Sequence, residues 1–286
     1  MVRFRPILPS CRRAPLAPAA VLLGAVLAIA SPLRAEPLSA SYQVYFGGFH
    51  VLNAEAQWQR GAGDYRITAE AETRGFVGWL NPWKGTTASR GFVDGARVIP
   101  ASHESWGEGG DGEKIVTLTY DPDGDLAEAR VLPEQDWDGR HPLPPDAGKG
   151  TLDPMSVIAG LSELLQAGGH CEGSFAVFDG RKRYDLFVSD AGEKVLEPTS
   201  YSIYAGPARG CRLDYEMLGG HRIERNKYAE TARERVVWVA RPAEGAPLVP
   251  VRLEIETAYG TVMGHLTGFA QGPQVEAKLP DSKPAQ

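Results

Sequence analysis

Apolar and polar residues alternate with a period of two along most of this chain, which is the pattern of strands with one dry and one wet face. Tyr42, Val44 and Phe46 fall on one side and Ser41, Gln43 and Tyr45 on the other, until Gly47-Gly48 breaks the run. A second strand follows from about Phe49 to Gln59, then a turn at Gly61–Asp64 and a third strand from Tyr65. Gly91–Pro100 and Ser102–Trp106 read as two more. Lys114–Tyr120 and Leu126–Leu132 pair across Asp121-Pro122-Asp123-Gly124, where Asp-Gly supplies the positive φ angles of a tight turn. After a Pro- and Gly-rich connection over 133–150, strands recur at Phe175–Phe178, Tyr184–Val188, Tyr201–Tyr204, from Cys211, Val236–Ala240, Leu248–Thr257 and Val262–Phe269. The expected fold is mainly β: a strongly curved antiparallel sheet, as an open or closed barrel or a β spiral, with one main helix packed on or into it.

The period changes once, after Gly150. Asp153 is placed to cap a helix, Pro154 suits its first position, and Leu152 can staple against Val157. Val157, Ile158, Leu161, Leu164 and Leu165 then make one apolar stripe, and Gly168-Gly169 ends it. Gly160 within the stripe is either a small cost or a point of close approach.

One segment fits neither period. Phe76, Trp79, Leu80 and Trp83 are set among Gly75, Gly78, Gly85 and Pro82, and a proline removes a ladder donor, so this is not an ordinary central strand. These side chains either plug the core, line the mouth of an apolar site or contact a partner.

Residues 1–35 have the layout of a secretory signal: Arg3, Arg5, Arg12 and Arg13, an apolar run from Ala19 to Ala30, and a small residue, Ala35, at the expected cleavage point. The expected mature chain is one domain over 36–271 with a disordered tail over 272–286. Losing the signal removes five arginines, which leaves 25 basic against 36 acidic residues and a formal charge of −11. That balance excludes nucleic acid or an anionic membrane surface as an electrostatic partner. No later segment is long and apolar enough to span a membrane. Cys11 leaves with the signal, so Cys171 and Cys211 are expected to pair as a disulfide in an oxidising compartment.

Catalytic chemistry is hard to assemble. His50, His103, His141, His170, His221 and His265 lack metal-ligand spacing, and there is no Gly-x-Ser-x-Gly elbow or phosphate-cradling glycine loop. No metal, cofactor or catalytic residue is expected. Asp153 and Asp179 are explained by cap and turn chemistry. The tip Arg181-Lys182-Arg183 is a solvated turn or, on a sharper reading, an anion-recognition point, because arginine forks match phosphates and carboxylates.

Several of these motifs together carry a resemblance. The leader, Tyr42-x-Val44-Tyr45-x-Gly47-Gly48, Gly150-Thr151-Leu152-Asp153-Pro154, Cys171, Val177-Phe178-Asp179-Gly180-Arg181-x-Arg183-Tyr184, Cys211 and Leu248-Val249-Pro250-Val251-Arg252 resemble the bacterial exported family called domain of unknown function 3108. The resemblance implies an envelope protein and offers no catalytic residues. The leading expectation is a periplasmic, non-catalytic binding protein for a lipid, lipopeptide or glycolipid that serves envelope integrity. In it Phe76, Trp79, Leu80 and Trp83 contribute to an apolar cavity, and Arg181 and Arg183 meet a polar group. The alternative is an envelope scaffold with a filled core that docks another envelope protein, and the third class is an enzyme of unfamiliar type.

Overall fold

The computed structural model describes residues 37–95, 97–168, 170–224 and 234–272. The expected signal over 1–35, the tail beyond Gly272, Gly169 of the helix stop and the charged stretch 225–233 lie outside the described residues. The strands are β1 (Leu38–Phe46), β2 (Phe49–Arg60), β3 (Asp64–Thr73), β4 (Lys84–Asp94), β5 (Arg97–Gly109), β6 (Gly112–Tyr120), β7 (Leu126–Leu132), β8 (Gly173–Phe178), β9 (Arg183–Leu196), β10 (Gly206–Gly219), β11 (Glu234–Ala240), β12 (Val249–Thr257) and β13 (Gly260–Gln271). Helix α1 (Gly75–Leu80) lies between β3 and β4, and α2 (Pro154–Gln166) between β7 and β8.

All the strands join one antiparallel sheet in the order β7-β6-β5-β4-β3-β2-β1-β13-β12-β11-β10-β9-β8. Two meanders run in opposite directions and meet where β1 pairs with β13, Leu38 opposite Gln271. The chain therefore passes from one edge of the sheet to the other only between β7 and β8, and that connection carries α2. Unpaired edges invite association. Here the sheet curls until the edges come close, so that Phe178 of β8 shares a core cluster with Val116, Leu118 and Tyr120 of β6.

The seam between the edges is filled by the β7–β8 connection itself. Leu152 forms a parallel bridge with Val177, its N–H donating to Ala176 O at 2.9 Å and its carbonyl accepting from Phe178 N at 3.0 Å. Further back, His141 N donates to His221 O at 2.9 Å and Gly220 N returns the bond to His141 O at 2.9 Å.

Helix α2 forms as the sequence predicts. Asp153 accepts from the backbone N–H groups of Met155 and Ser156, and Pro154 occupies the first turn. Its apolar stripe faces the concave side of the sheet. Ala159 packs with Tyr65 and Ile67 of β3, and Leu165 packs with Val188, Val239 and the Cys171–Cys211 disulfide. Fully burying such an aliphatic side chain contributes roughly 1.5–3 kcal/mol. Gly160 is a point of close approach, because a Cβ there would stand 3.1 Å from the Phe175 ring.

Two strand expectations and the core-plug reading of the aromatic segment are corrected. The 91–106 region divides after Asp94, where Gly95 turns with φ 61, so β4 ends and β5 begins earlier than the apolar spacing implied. Residues Tyr201–Tyr204 are not a strand. They belong to a covering segment on which Ile203 N and the Ser202 hydroxyl both donate to Leu266 O, while Tyr201 stacks on His265 at 5.8 Å. Their alternation reflects packing on a sheet face and not membership of the ladder. Finally, the aromatic segment is no core plug. It is the short helix α1, with Phe76, Trp79 and Leu80 exposed at 65%, 77% and 59%.

Candidate functional site

The concave face of β3–β6 is built from small residues. Ala69 and Ala71 of β3 stand beside Thr87 and Gly85 of β4, which pair in turn with Ser105 and Gly107 of β5. Small side chains on neighbouring strands leave space that a barrel interior of valines and leucines would fill. The result is a cavity of about 590 Å³, closed at one end by Pro154 and Met155 of the first turn of α2 and bordered by Trp83, His103, Lys114, Asp179 and Arg181.

Trp83 reaches this cavity because the chain closes tightly around α1. Thr73 N donates to Trp83 O at 2.8 Å, and Trp83 N donates to Thr73 Oγ1 at 2.8 Å, which fixes the return into β4. The indole then lies across bare backbone. Cβ atoms at Gly85, Gly107 and Gly109 would stand 2.7, 3.4 and 3.0 Å from it.

Behind the cavity is a buried polar array. Asp153 is 0% exposed and His103 4%. Ser89 donates to Asp153 Oδ1 at 2.6 Å, and the Ser156 hydroxyl donates to Oδ2. His103 Nδ1 lies 2.8 Å from Ser89 Oγ and 3.1 Å from Asp153 Oδ1. Tyr65 completes the chain, 2.6 Å from Ser156 Oγ, and must be the donor there because the serine proton is committed to Asp153. Burial pushes the Asp153 carboxyl up, but the hydrogen bond and charge of His103 and the hydroxyls of Ser156 and Ser89 outweigh it, so the group sits below its ordinary value of 3.8. The same surroundings push the Tyr65 and Tyr120 phenols upward, burial first and the Asp153 charge adding.

Arg181 fastens the seam. Its guanidinium donates to Leu132 O at 3.0 Å, Pro133 O at 3.3 Å and Gln135 Oε1 at 3.2 Å, while Gln135 Nε2 donates to the Arg181 carbonyl at 3.1 Å. Burial lowers its affinity for the proton, Asp179 opposes that and Arg140 adds to it. Replacing Arg181 by alanine should destabilise the fold by about 2 kcal/mol and raise hydrogen exchange along β7, because several carbonyls of the seam lose a charged donor. Lysine should rescue little, lacking the fork. Unchanged exchange at β7 would show that the seam holds without it.

The family described as "Protein of unknown function (DUF3108)" matches residues 41–267, which takes in the sheet except the start of β1 and the end of β13, together with α2, the disulfide and every residue of this cavity. The chain belongs to that family. Among solved structures it is similar to a β-barrel-like protein of domain of unknown function DUF1849 from Brucella abortus, with 13% identity and a TM-score of 0.49 over 85% of this chain and 100% of that one. No curated protein matches.

Of the residues singled out by sequence in this family member, Trp83 and Arg181 come together at the cavity. Phe76, Trp79 and Leu80 do not; they project from α1 on the outside, with the Phe76 and Trp79 rings 6.3 Å apart. Arg183 turns away to Asp185 Oδ1 at 2.7 Å. Cys171 and Cys211 are bridged. Ser89, His103, Ser105 and the glycines under Trp83 were missed as site residues. The available signal was a run of small and polar residues at every second position of β4 and β5, where an apolar core face would carry large ones. A smaller cavity of about 270 Å³ lies beside the later turns of α2, lined by Leu38, Trp58 and Ala159 and rimmed by the Arg60–Glu163 pair at 2.5 Å.

Proposed function

We propose that this protein is an exported binding protein of the bacterial envelope that holds an amphiphilic molecule in the β3–β6 concavity. The observation that carries the reading is the cavity itself: about 590 Å³ over small residues, at the inner face of a barrel-like sheet and walled by an indole. Binding sites for small molecules are concave, largely apolar and supplied with a few placed polar groups. Here Ala69, Ala71, Met155 and Trp83 supply the apolar wall, and His103, Ser105 and Asn81 the polar groups. The leader over 1–35, cleaved after Ala35, places the protein in the periplasm on this reading, and N-terminal sequencing of a periplasmic fraction checks it.

Native mass spectrometry of protein purified from its own periplasm should reveal a bound amphiphile. Ser105→Trp, which fills the cavity, should lose that adduct and weaken binding of 1-anilinonaphthalene-8-sulfonate at least tenfold without shifting the melting temperature by more than a few degrees. An adduct-free wild type that also fails to bind the dye would refute the reading. A second role, docking on another envelope protein, is favoured by the exposed apolar side chains of α1. A photo-crosslinker in place of Trp79 should then capture one defined partner, and labelling no different from that at an exposed polar site would count against it.

A further inference from the structure

We infer that the polar part of the bound molecule is a hydroxyl-bearing, uncharged sugar ring, an inference that rests on the cavity being a binding site. Trp83 is a platform. Gly85, Gly107 and Gly109 strip two neighbouring strands of side chains so that one side of the indole lies against backbone, while 40% of the residue remains exposed. A flat aromatic face held on a rigid sheet suits the C–H face of a pyranose, whose partly positive hydrogens sit on the negative face of the ring.

His103 supplies the hydrogen bond. Ser89 spends its only proton on Asp153, so the Ser89 oxygen and the filled Asp153 carboxylate both face His103 Nδ1 as acceptors. The imidazole therefore carries a proton on Nδ1, which leaves Nε2 as the ring nitrogen available to a ligand. Among the described residues no group bonds Nε2, and His103, although almost fully buried, borders the cavity. A ring nitrogen held in place by a buried carboxylate on the opposite edge suits a ligand hydroxyl, which both donates and accepts.

Charge decides against an anionic head group. The lining carries Glu70, Asp111 and Asp179 against Lys114 and Arg181. Lys114 is paired with Asp111 at 3.2 Å, and the Arg181 fork is spent on the carbonyls of the seam and on Gln135. No positive excess is left for a phosphate or carboxylate. Ser105, Thr87 and Asn81 are short, neutral hydrogen-bonding groups of the kind that read hydroxyls.

The test is isothermal titration, below the critical micelle concentrations, with dodecyl glycosides bearing glucose, N-acetylglucosamine and maltose. These are compared with lauric acid and dodecylphosphocholine, which have the same chain, and with the chain-free methyl glycosides. At least one glycoside should bind ten times more tightly than either non-sugar amphiphile. That preference should fall at least fivefold in Trp83→Ala and in His103→Asn, since asparagine keeps a hydrogen-bonding group near the Nδ1 position and has none at Nε2. Methyl glycosides binding within tenfold of their dodecyl forms would make the natural ligand a free saccharide, and binding only of the dodecyl forms a glycolipid; both support the inference. Equal affinity across the head groups, or a preference untouched by His103→Asn, overturns it while leaving the cavity reading in place. No binding of any probe, together with an adduct-free native spectrum, overturns both.

Discussion

Asp153→Ala should cost the fold about 3–5 kcal/mol, because a buried polar array loses the carboxylate that holds it together. Two losses combine. The helix gives up its cap, because the N–H groups of Met155 and Ser156 lose their acceptor at 3.0 Å. The hydroxyls of Ser89 and Ser156 lose their acceptor where water does not reach, His103 Nδ1 keeps only Ser89 Oγ, and an unpartnered buried donor costs more than its hydrogen bond contributed. Asp153→Asn should fall between wild type and alanine. Urea unfolding followed by circular dichroism measures both, and a loss below about 1 kcal/mol for alanine would mean that the array is not what seats α2.

The pH dependence follows from the sign of the shift. The folded carboxyl lies below its ordinary value of 3.8, so its contribution is complete above that value and drains away as pH falls through it toward the folded value. The stability gap between wild type and Asp153→Asn should be constant near neutrality and narrow below about pH 4. A gap that widens in acid would contradict the ionised, hydrogen-bonded state of Asp153.

Removing the disulfide ranks with this. Cys171 and Cys211 are 40 residues apart, and opening a loop of that length loses about 4 kcal/mol in the chain-entropy model. For a domain of this size that corresponds to a melting temperature lower by roughly 8–16 °C in the Cys171→Ala, Cys211→Ala double variant. The bond ties the end of α2 to the middle of β10 inside an apolar cluster with Leu165, Val188 and Val239. Both sulfurs are inaccessible, so dithiothreitol should lower wild type to the variant's stability only as fast as the protein opens. Calorimetry of the two proteins with and without reductant measures this, and equal melting temperatures without reductant would exclude a stabilising bridge.

The three regions that resisted a sequence reading did so for one reason. Trp79 and Trp83 are four residues apart, both beside glycine or proline, and nothing local says that one faces solvent and the other the cavity. The pairing of Thr73 with Trp83 across α1 decides it. Arg181 looked like a free basic tip, yet carbonyls from residues 132 and 133 occupy it. Ser89 and His103 are in register because β4 shifts by one residue between Arg90 and Gly91 against β5, an irregularity without a sequence signature.

The pairing of Cys171 with Cys211, 40 residues apart, was legible only because no third cysteine follows the leader. What the chain's own order of residues otherwise determined is everything set within a few positions: the strand alternation, the Asp-Gly turn at Gly124, the Asp153-Pro154 start of α2 and the apolar stripe behind it. These depend on backbone sterics and near-neighbour hydrogen bonds, which a sequence displays directly. Only the tertiary structure decided that the sheet curls until β6 meets β8, that Asp153 serves Ser89, His103 and Ser156 as well as its helix, and that glycines of β4 and β5 make room beneath Trp83. Those follow from registers and closures between residues tens of positions apart, where the energy of each contact depends on every other strand already being in place.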